Sequence, residues 1–387
     1  MAPDLPSGLA PGADRTAGVA ESVIREMTRE AHRHDAINLS QGIPDAGETP
    51  TAILEAAKSA IDAESQYTIT WGLPDLRAAV ADRYADWKGV RYDPEREVTI
   101  TCGTSEAILS TVLALCNPGD GVCYFEPTYE NYIPSIRFAG GHPRPVALGE
   151  DLAIDETALR TAAAESSMLV LNTPQNPTGK VFSREELELV ADVAADEDLV
   201  VVTDEIYEHI VYADYTSPVE VGDLARRTVC CTGLSKTYSV TGWRVGFALA
   251  PAGLAGELRK VHDYATICAP TPFQRAAVEA LELPDDFYDD LAAAYERRRD
   301  RLYEGLTAVG FEPRLPDGAY YMMARYPTDE PDHDFALRLA REAGVATVPG
   351  SSFYADTDDA GWIRFTFSRR PETIDEAIDR IADGRWW

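Results

Sequence analysis

The chain has 387 residues, 65 of them acidic and 35 basic, for a net charge of −30. Such an excess of negative charge argues against nucleic acid and anionic membrane as partners, because both require a positive footprint. With 45% hydrophobic and 26% charged residues the composition is that of an ordered enzyme, and the length implies two domains rather than one small core.

In chain order, Met1 to Arg15 is rich in Pro, Gly and Asp and reads as a short flexible leader, without the basic-then-apolar order of a signal peptide. No apolar run approaches the length needed to cross a bilayer. Residues 16–34 predict a helix, with Val19, Val23, Ile24 and Met27 at helical spacing. Ile37 to Ser40 then leads into a turn at Gln41-Gly42-Ile43-Pro44-Asp45. Further helices are expected over 51–62 and over 74–88, the second opened by a proline in its first turn.

From residue 98 strands and helices alternate. Strands are predicted at 98–101, 121–125, 168–171, 199–203, 228–231 and 245–249, with intervening helices clearest at 106–116 and 185–195. Most of these strands are nearly all apolar, which implies an α/β fold whose sheet is buried on both faces by helices. After about Pro284 the texture changes to a charged helix (289–306), short strands and a final amphipathic helix (372–381), a smaller α+β domain. Its Arg297–Arg301 run reads as a solvated or domain-junction face. Trp386-Trp387 offers a possible anchor for the terminus.

The six cysteines include no C-x-x-C pair and mostly sit in apolar runs, as in a reduced, cytoplasmic protein. The histidines have no metal-ligand spacing, so no metal is expected. The low pI and scarcity of lysine suit solubility at high salt, or equally a biased genome composition.

Five lysines are present, and four have ordinary settings: Lys58 and Lys260 in helical patterns, Lys88 before a helix-ending Gly89, Lys180 in a turn. Lys236 lies between two apolar runs, walled by hydroxyls and glycines in Gly233-Leu234-Ser235-Lys236-Thr237-Tyr238. Desolvation lowers an ammonium's pKa and favours imine chemistry with a carbonyl, although a strand-end lysine can also snorkel to water. Strand ends are where α/β sheets place ligands. Gly103-Thr104-Ser105, at a helix start after one strand, suits a phosphate or a plain N-cap. Tyr129 follows another strand and either covers a planar heterocycle or packs on the sheet edge. The Asn172 to Gly179 turn points amides at a strand end. Asp204, after the 199–203 run, is either a helix N-cap or a buried acid needing a cation, which a protonated pyridine nitrogen would supply. With Arg244, this set matches pyridoxal phosphate. Dinucleotide and Walker-type glycine motifs are absent.

Asn176-Pro177-Thr178-Gly179, Asp204-Glu205-Ile206-Tyr207 and Ser235-Lys236-Thr237 through Gly242-Trp243-Arg244-Val245-Gly246, in that order, resemble the class I aminotransferases of the fold-type I pyridoxal phosphate enzymes. The likeness is nearest the kynurenine, methionine and aspartate branch and runs almost end to end, from Asn38-Leu39-Ser40-Gln41-Gly42 to Ile363-Arg364-Phe365. It implies that Lys236 carries the cofactor as an imine and then moves the proton at the substrate Cα. Asp204 would hold the ring nitrogen protonated, Tyr207 and Asn176 would bond the phenolic oxygen, and Tyr129 would stack on the ring. Gly103, Thr104, Ser105, Ser235 and Arg244 would hold the phosphate, with Tyr67 reaching in from the partner of a homodimer. Arg364 would clamp the substrate carboxylate, helped by Asn176 and Gly42, while Ile43, Trp71, Tyr320 and Tyr321 would line the side-chain pocket, the two tyrosines equally fitting a structural role in the Pro316-Asp317-Gly318-Ala319 hairpin region.

The resemblance further implies an N-terminal arm over 1–45, a large cofactor-binding domain over 46–284 and a small domain over 285–387. Neutral or aromatic amino acids are favoured over dicarboxylic ones, since the possible second cation, Arg275, reads as a helix-surface residue. A lyase on the same scaffold, eliminating from a cysteine conjugate or from S-adenosylmethionine, would keep every cofactor residue, and an aerobic oxidase is a smaller possibility. A cofactor-sensing regulator would carry a basic winged-helix domain ahead of the fold, where only about 35 mainly acidic or neutral residues stand.

Overall fold

The computed structural model describes residues 12–63, 65–357 and 359–384. Most of the expected leader, and Trp386-Trp387, lie outside the described residues.

Thirteen strands follow in order. They are β1 (Ile37–Asn38), β2 (Val98–Thr101), β3 (Gly121–Glu126), β4 (His142–Ala147), β5 (Met168–Asn172), β6 (Val200–Asp204) and β7 (Thr228–Gly233). Then come β8 (Gly246–Leu249), β9 (Glu312–Pro313), β10 (Tyr321–Arg325), β11 (Val345–Ala346), β12 (Val348–Pro349) and β13 (Ile363–Thr366). The helices are α1 (Val23–His34), α2 (Thr51–Ala63), α3 (Pro74–Lys88), α4 (Thr104–Leu115), α5 (Tyr132–Ala139) and α6 (Glu156–Ala163). They continue with α7 (Arg184–Asp196), α8 (Ala252–Ala265), α9 (Thr271–Leu281), α10 (Asp285–Ala308), α11 (Asp332–Arg338) and α12 (Pro371–Ala382).

Seven strands form one mixed sheet in the order β2-β8-β7-β6-β5-β3-β4. The run from β7 to β4 is parallel, and β8 is antiparallel to both of its neighbours. Each central strand serves two cores. Along β3, Val122 and Tyr124 pack with Ile108 of α4 and Leu258 of α8, while Cys123 and Phe125 pack with Leu159 of α6 and Leu187 of α7. Two covered faces explain why these strands read as unbroken apolar runs. A separate antiparallel sheet, β12-β13-β10-β9, lies in the C-terminal third, and β1 pairs with β11 beside it. No described helix is long and apolar enough to cross a membrane.

Several boundaries differ from expectation for local reasons. The first helix begins at Val23, not at residue 16, because Ser22 accepts from the Arg25 N–H and so caps it there. β5, β6 and β7 run past their last apolar residues, because ladder bonds do not depend on side-chain polarity. Asn172 therefore sits beside Asp204 in register. β4 was not anticipated: Pro143 and Pro145 interrupt its pattern, which an edge strand tolerates since only one side of it is paired.

Candidate active site

A cavity of about 170 Å³ opens at the carboxyl edge of the large sheet, among the ends of β5, β6 and β7 and the start of α4. Lys236 enters it from the turn after β7. Its Nζ donates to the Gly42 carbonyl at 3.2 Å and lies 5.9 and 5.7 Å from the centroids of the Tyr207 and Tyr320 rings. Among the described residues it makes no ion pair. Burial pushes its pKa down to about 8; Asp204 pulls against that shift, while Arg244 and Arg364 add to it.

Enclosure alone does not single out this lysine, contrary to expectation. The side chains of Lys88 and Lys180 are 5% and 9% exposed, but each has a glutamate at 2.8 Å. Half-buried, Lys236 is distinguished by having no ion-pair partner among the described residues.

Asp204 ends β6 and mirrors that situation. Its Oδ2 accepts from the Tyr132 hydroxyl at 2.8 Å and its Oδ1 from the Ile206 N–H at 3.2 Å, with no cation paired to it among the described residues. Burial raises its pKa to about 6, against the opposing effect of the Tyr132 hydrogen bond. Both readings of this residue hold in part, since it caps the following turn and is also a buried acid. Tyr207 donates to the Tyr321 hydroxyl at 3.2 Å and meets the Tyr320 ring edge-on. Tyr129 lines the cavity with its ring edge-on to that of Tyr132. Asn172 is consumed structurally, donating to the Asp204 and Pro174 carbonyls and accepting from the Asn176 N–H.

At the far end of the cavity, Gly103 caps α4 at φ 82°, a conformation suited to glycine. A Cβ there would strike the Arg244 guanidinium. Thr104 spends its hydroxyl hydrogen on the Thr232 carbonyl at 2.9 Å, so what it offers a ligand is backbone N–H at a helix start. Ser105, Ser235, Thr241 and Arg244 complete this end. Arg244 stands at φ 55°, unusual for a residue with a side chain, and its guanidinium donates to the Thr241 and Cys102 carbonyls.

Arg364, on β13, is 1% exposed. It donates to Asn176 Oδ1 at 2.7 Å and to the Ser40 carbonyl at 2.6 Å, its Nε has no partner among the described residues, and its guanidinium lies 4.2 and 4.8 Å from the ring centroids of Tyr321 and Phe353. Gly42 joins this group through its carbonyl, which also accepts from Tyr320 at 2.8 Å.

Three expected residues stand apart from the cavity of their own chain. Tyr67 is 77% exposed. Trp71 does not line the cavity, and its ring lies 5.1 Å from the Arg259 guanidinium of α8. Ile43 is half-buried and contributes its carbonyl to Ser368 at 3.2 Å. Conversely, Tyr132, Thr241 and Phe353 were not anticipated. Tyr132 stands one helical turn after Tyr129, a spacing that could have revealed it.

The model of the family described as aminotransferase class I and II matches residues 34–381. A probable N-succinyldiaminopimelate aminotransferase of Mycobacterium tuberculosis is 38% identical over 381 residues, covering 94% of this chain and 96% of that protein. The methionine aminotransferase of Escherichia coli is 32% identical, covering 93% and 95%. The solved structure of N-succinyldiaminopimelate aminotransferase from Mycobacterium tuberculosis superposes with a TM-score of 0.92 at 37% identity, covering 96% of this chain and 99% of that one.

Proposed function

The chain belongs to the class I and II aminotransferases, pyridoxal phosphate-dependent enzymes of fold type I, and from that premise we propose how its own residues divide the work. The cofactor, when bound, supplies an aldehyde that condenses with amines and an electron-poor ring that draws density from the substrate Cα. The residues present fit it. Among the described residues the Lys236 amine and the buried Asp204 carboxylate have no ion-pair partner, a helix start offers N–H groups, and the missing Cβ of Gly103 makes room for the Arg244 guanidinium at that end.

Lys236 is the attachment point, and its pKa, lowered from 10.5 to about 8, leaves about a tenth of the amine neutral at pH 7, far more than an ordinary lysine has. Once released, the same Nζ takes the proton from the substrate Cα and returns it elsewhere, held near that path by the Gly42 carbonyl. Asp204 holds a proton on the ring nitrogen, with Tyr132 orienting the carboxylate. Tyr207 and Asn176 would hydrogen-bond the cofactor's phenolic oxygen, Tyr129 would stack on its ring, and Thr104, Ser105, Ser235 and Arg244 would hold its phosphate. Arg364, with its unpaired Nε, grips the substrate α-carboxylate.

Tyr67 serves the partner's site in a homodimer. Supporting this, Ile61, Tyr67, Ile69, Tyr264 and Ile267 are all exposed. Bonds from Thr271 to Gln66 and from Gln274 to Thr68 bring the 66–70 and 262–274 segments together, so these apolar side chains share one face. Trp71 and Ile43 belong to the side-chain pocket of the assembled dimer. The division into 1–45, 46–284 and 285–387 is supported by the two separate sheets and by the β1–β11 pairing. Six unpaired cysteines favour a reducing, cytoplasmic setting.

Neutral or aromatic amino acids are the preferred donors. Within one chain Arg275 does not supply a second cation to the site, since it pairs with Asp75 at 3.0 Å between α3 and α9. The observation that carries the whole reading is the coexistence, in one cavity, of a half-buried lysine and a buried aspartate that have no ion-pair partner among the described residues. Spectrophotometric screening of amino acids against the cofactor-loaded chain tests it. Conversion to the amine form with release of a 2-oxo acid supports transamination, whereas release of pyruvate or ammonia without that conversion means elimination instead.

A further inference from the structure

Behind the candidate site, on the other side of the Asp204–Tyr207 turn, three charged side chains are buried together. Lys88, the last residue of α3, places its Nζ 2.8 Å from Glu208 and 3.5 Å from Glu205. Glu205 also accepts from Thr203 at 2.7 Å, Tyr215 at 2.6 Å, Ser217 at 2.6 Å and the Cys230 thiol at 3.1 Å. Glu208 accepts from Thr232 at 2.7 Å and from the Tyr84 hydroxyl. The donors come from β6, β7, α3 and the 215–217 segment. Thr203 directly precedes Asp204, and Thr232 lies four residues before Lys236. The network thus holds both strand ends that deliver the site's charged groups.

One lysine against two carboxylates leaves one net negative charge. The other titratable groups around it stay neutral: burial raises Tyr84, Tyr92, Tyr215 and Cys230, and pushes His209 down to about 4. Arg83, which also faces His209, is paired outward with Asp285. A buried ionic cluster is a poor way to gain stability, because apolar side chains of the same volume commonly do as well. Its position suggests a use. We propose that Lys88 is a positioning residue for the reaction, anchoring the 204–208 turn and setting the electrostatic potential felt at Asp204, and through Asp204 by the bound cofactor.

With Lys236 and Asp204 as the cofactor's residues, on which this rests, the test is the pH at which the bound cofactor's absorbance changes between its protonated and unprotonated forms. Lys88→Met takes the cluster's charge from one to two negatives and raises that midpoint by on the order of one pH unit, the size of a single unpaired charge acting at an effective dielectric of about 20. Glu208→Gln removes the net charge and lowers it. The double variant Lys88→Met/Glu208→Gln restores one negative charge and returns the midpoint to within about 0.3 units of the parent. Should Lys88→Met not fold, Glu208→Gln and the double variant still give the ordering. Midpoints that ignore charge, or that move the same way in all variants, overturn the proposal and leave a structural cluster only. A parent chain that develops no cofactor absorbance defeats the assignment of Lys236 instead, so the two failures are distinguishable.

Discussion

Lys88 and Lys236 both turn their amines inward, they flank the same Asp204–Glu208 turn, and they have opposite chemistry. Lys88 meets two glutamates; burial opposes its charge, but Glu208 and then Glu205 outweigh that and hold its pKa above the ordinary lysine value. Lys236 meets a carbonyl and two aromatic rings, and burial wins. The carboxylates divide the same way: Glu208, paired, is held below its usual range, whereas Asp204, bonded only by neutral donors, is raised. An interior therefore makes a lysine reactive by denying it a partner, not by hiding it.

Removing each lysine breaks this comparison most strongly. Lys236→Ala should lower transamination by at least about 10⁴-fold, since attachment and proton transfer are lost together. The cofactor-free chain should melt no lower than the parent, because an unpaired buried charge has been removed. Lys88→Met should instead cost about 3–5 kcal/mol by leaving two buried carboxylates without their cation. Denaturant melts of both, with single-turnover rates, check the contrast, and equal loss of stability would end it.

Asp204→Asn should reduce turnover on the order of 10³-fold while still binding the cofactor, as expected when a preorganised charge is removed from a dry site. Retention of more than a tenth of the parent rate would argue against its role at the ring nitrogen. The same residue affects stability. Its folded pKa lies near 6 against an ordinary 3.8, so the cofactor-free fold prefers it protonated. That contribution is fully present below about pH 4 and is lost as pH rises through about 6, a change of roughly 3 kcal/mol. Asp204→Asn should flatten that limb in cofactor-free melts across pH. A smaller effect is expected at Arg364, where Arg364→Lys should raise KM for the amino acid about 10 to 100-fold, with kcat changed less, because one forked contact to a carboxylate is lost. An unchanged KM would remove Arg364 from substrate binding.

Local signals carried much of this. Asp204 directly follows the 199–203 run and Lys236 lies in the turn after the 228–231 run, between it and the next, so their settings were legible in the sequence, and α3 and β2 have the expected bounds. What local pattern could not carry was partnership. Lys88 precedes Gly89, an ordinary helix ending, and only the tertiary packing of α3 against residues 205–208 turns it inward. Tyr132 acquires its partner only because α5 lies over the end of β6. Arg364 was reached by resemblance alone, since its setting depends on Ser40, Asn176 and Phe353 from three distant stretches.

The most direct measurement is the rate of cofactor capture by the cofactor-free chain against pH, trapped with borohydride and mapped by peptide mass spectrometry. The expected result is label on Lys236, none on Lys88, and a rate that rises with a midpoint of about 8. Label on Lys88, or capture at Lys236 with a midpoint near the ordinary lysine value of 10.5, would contradict it.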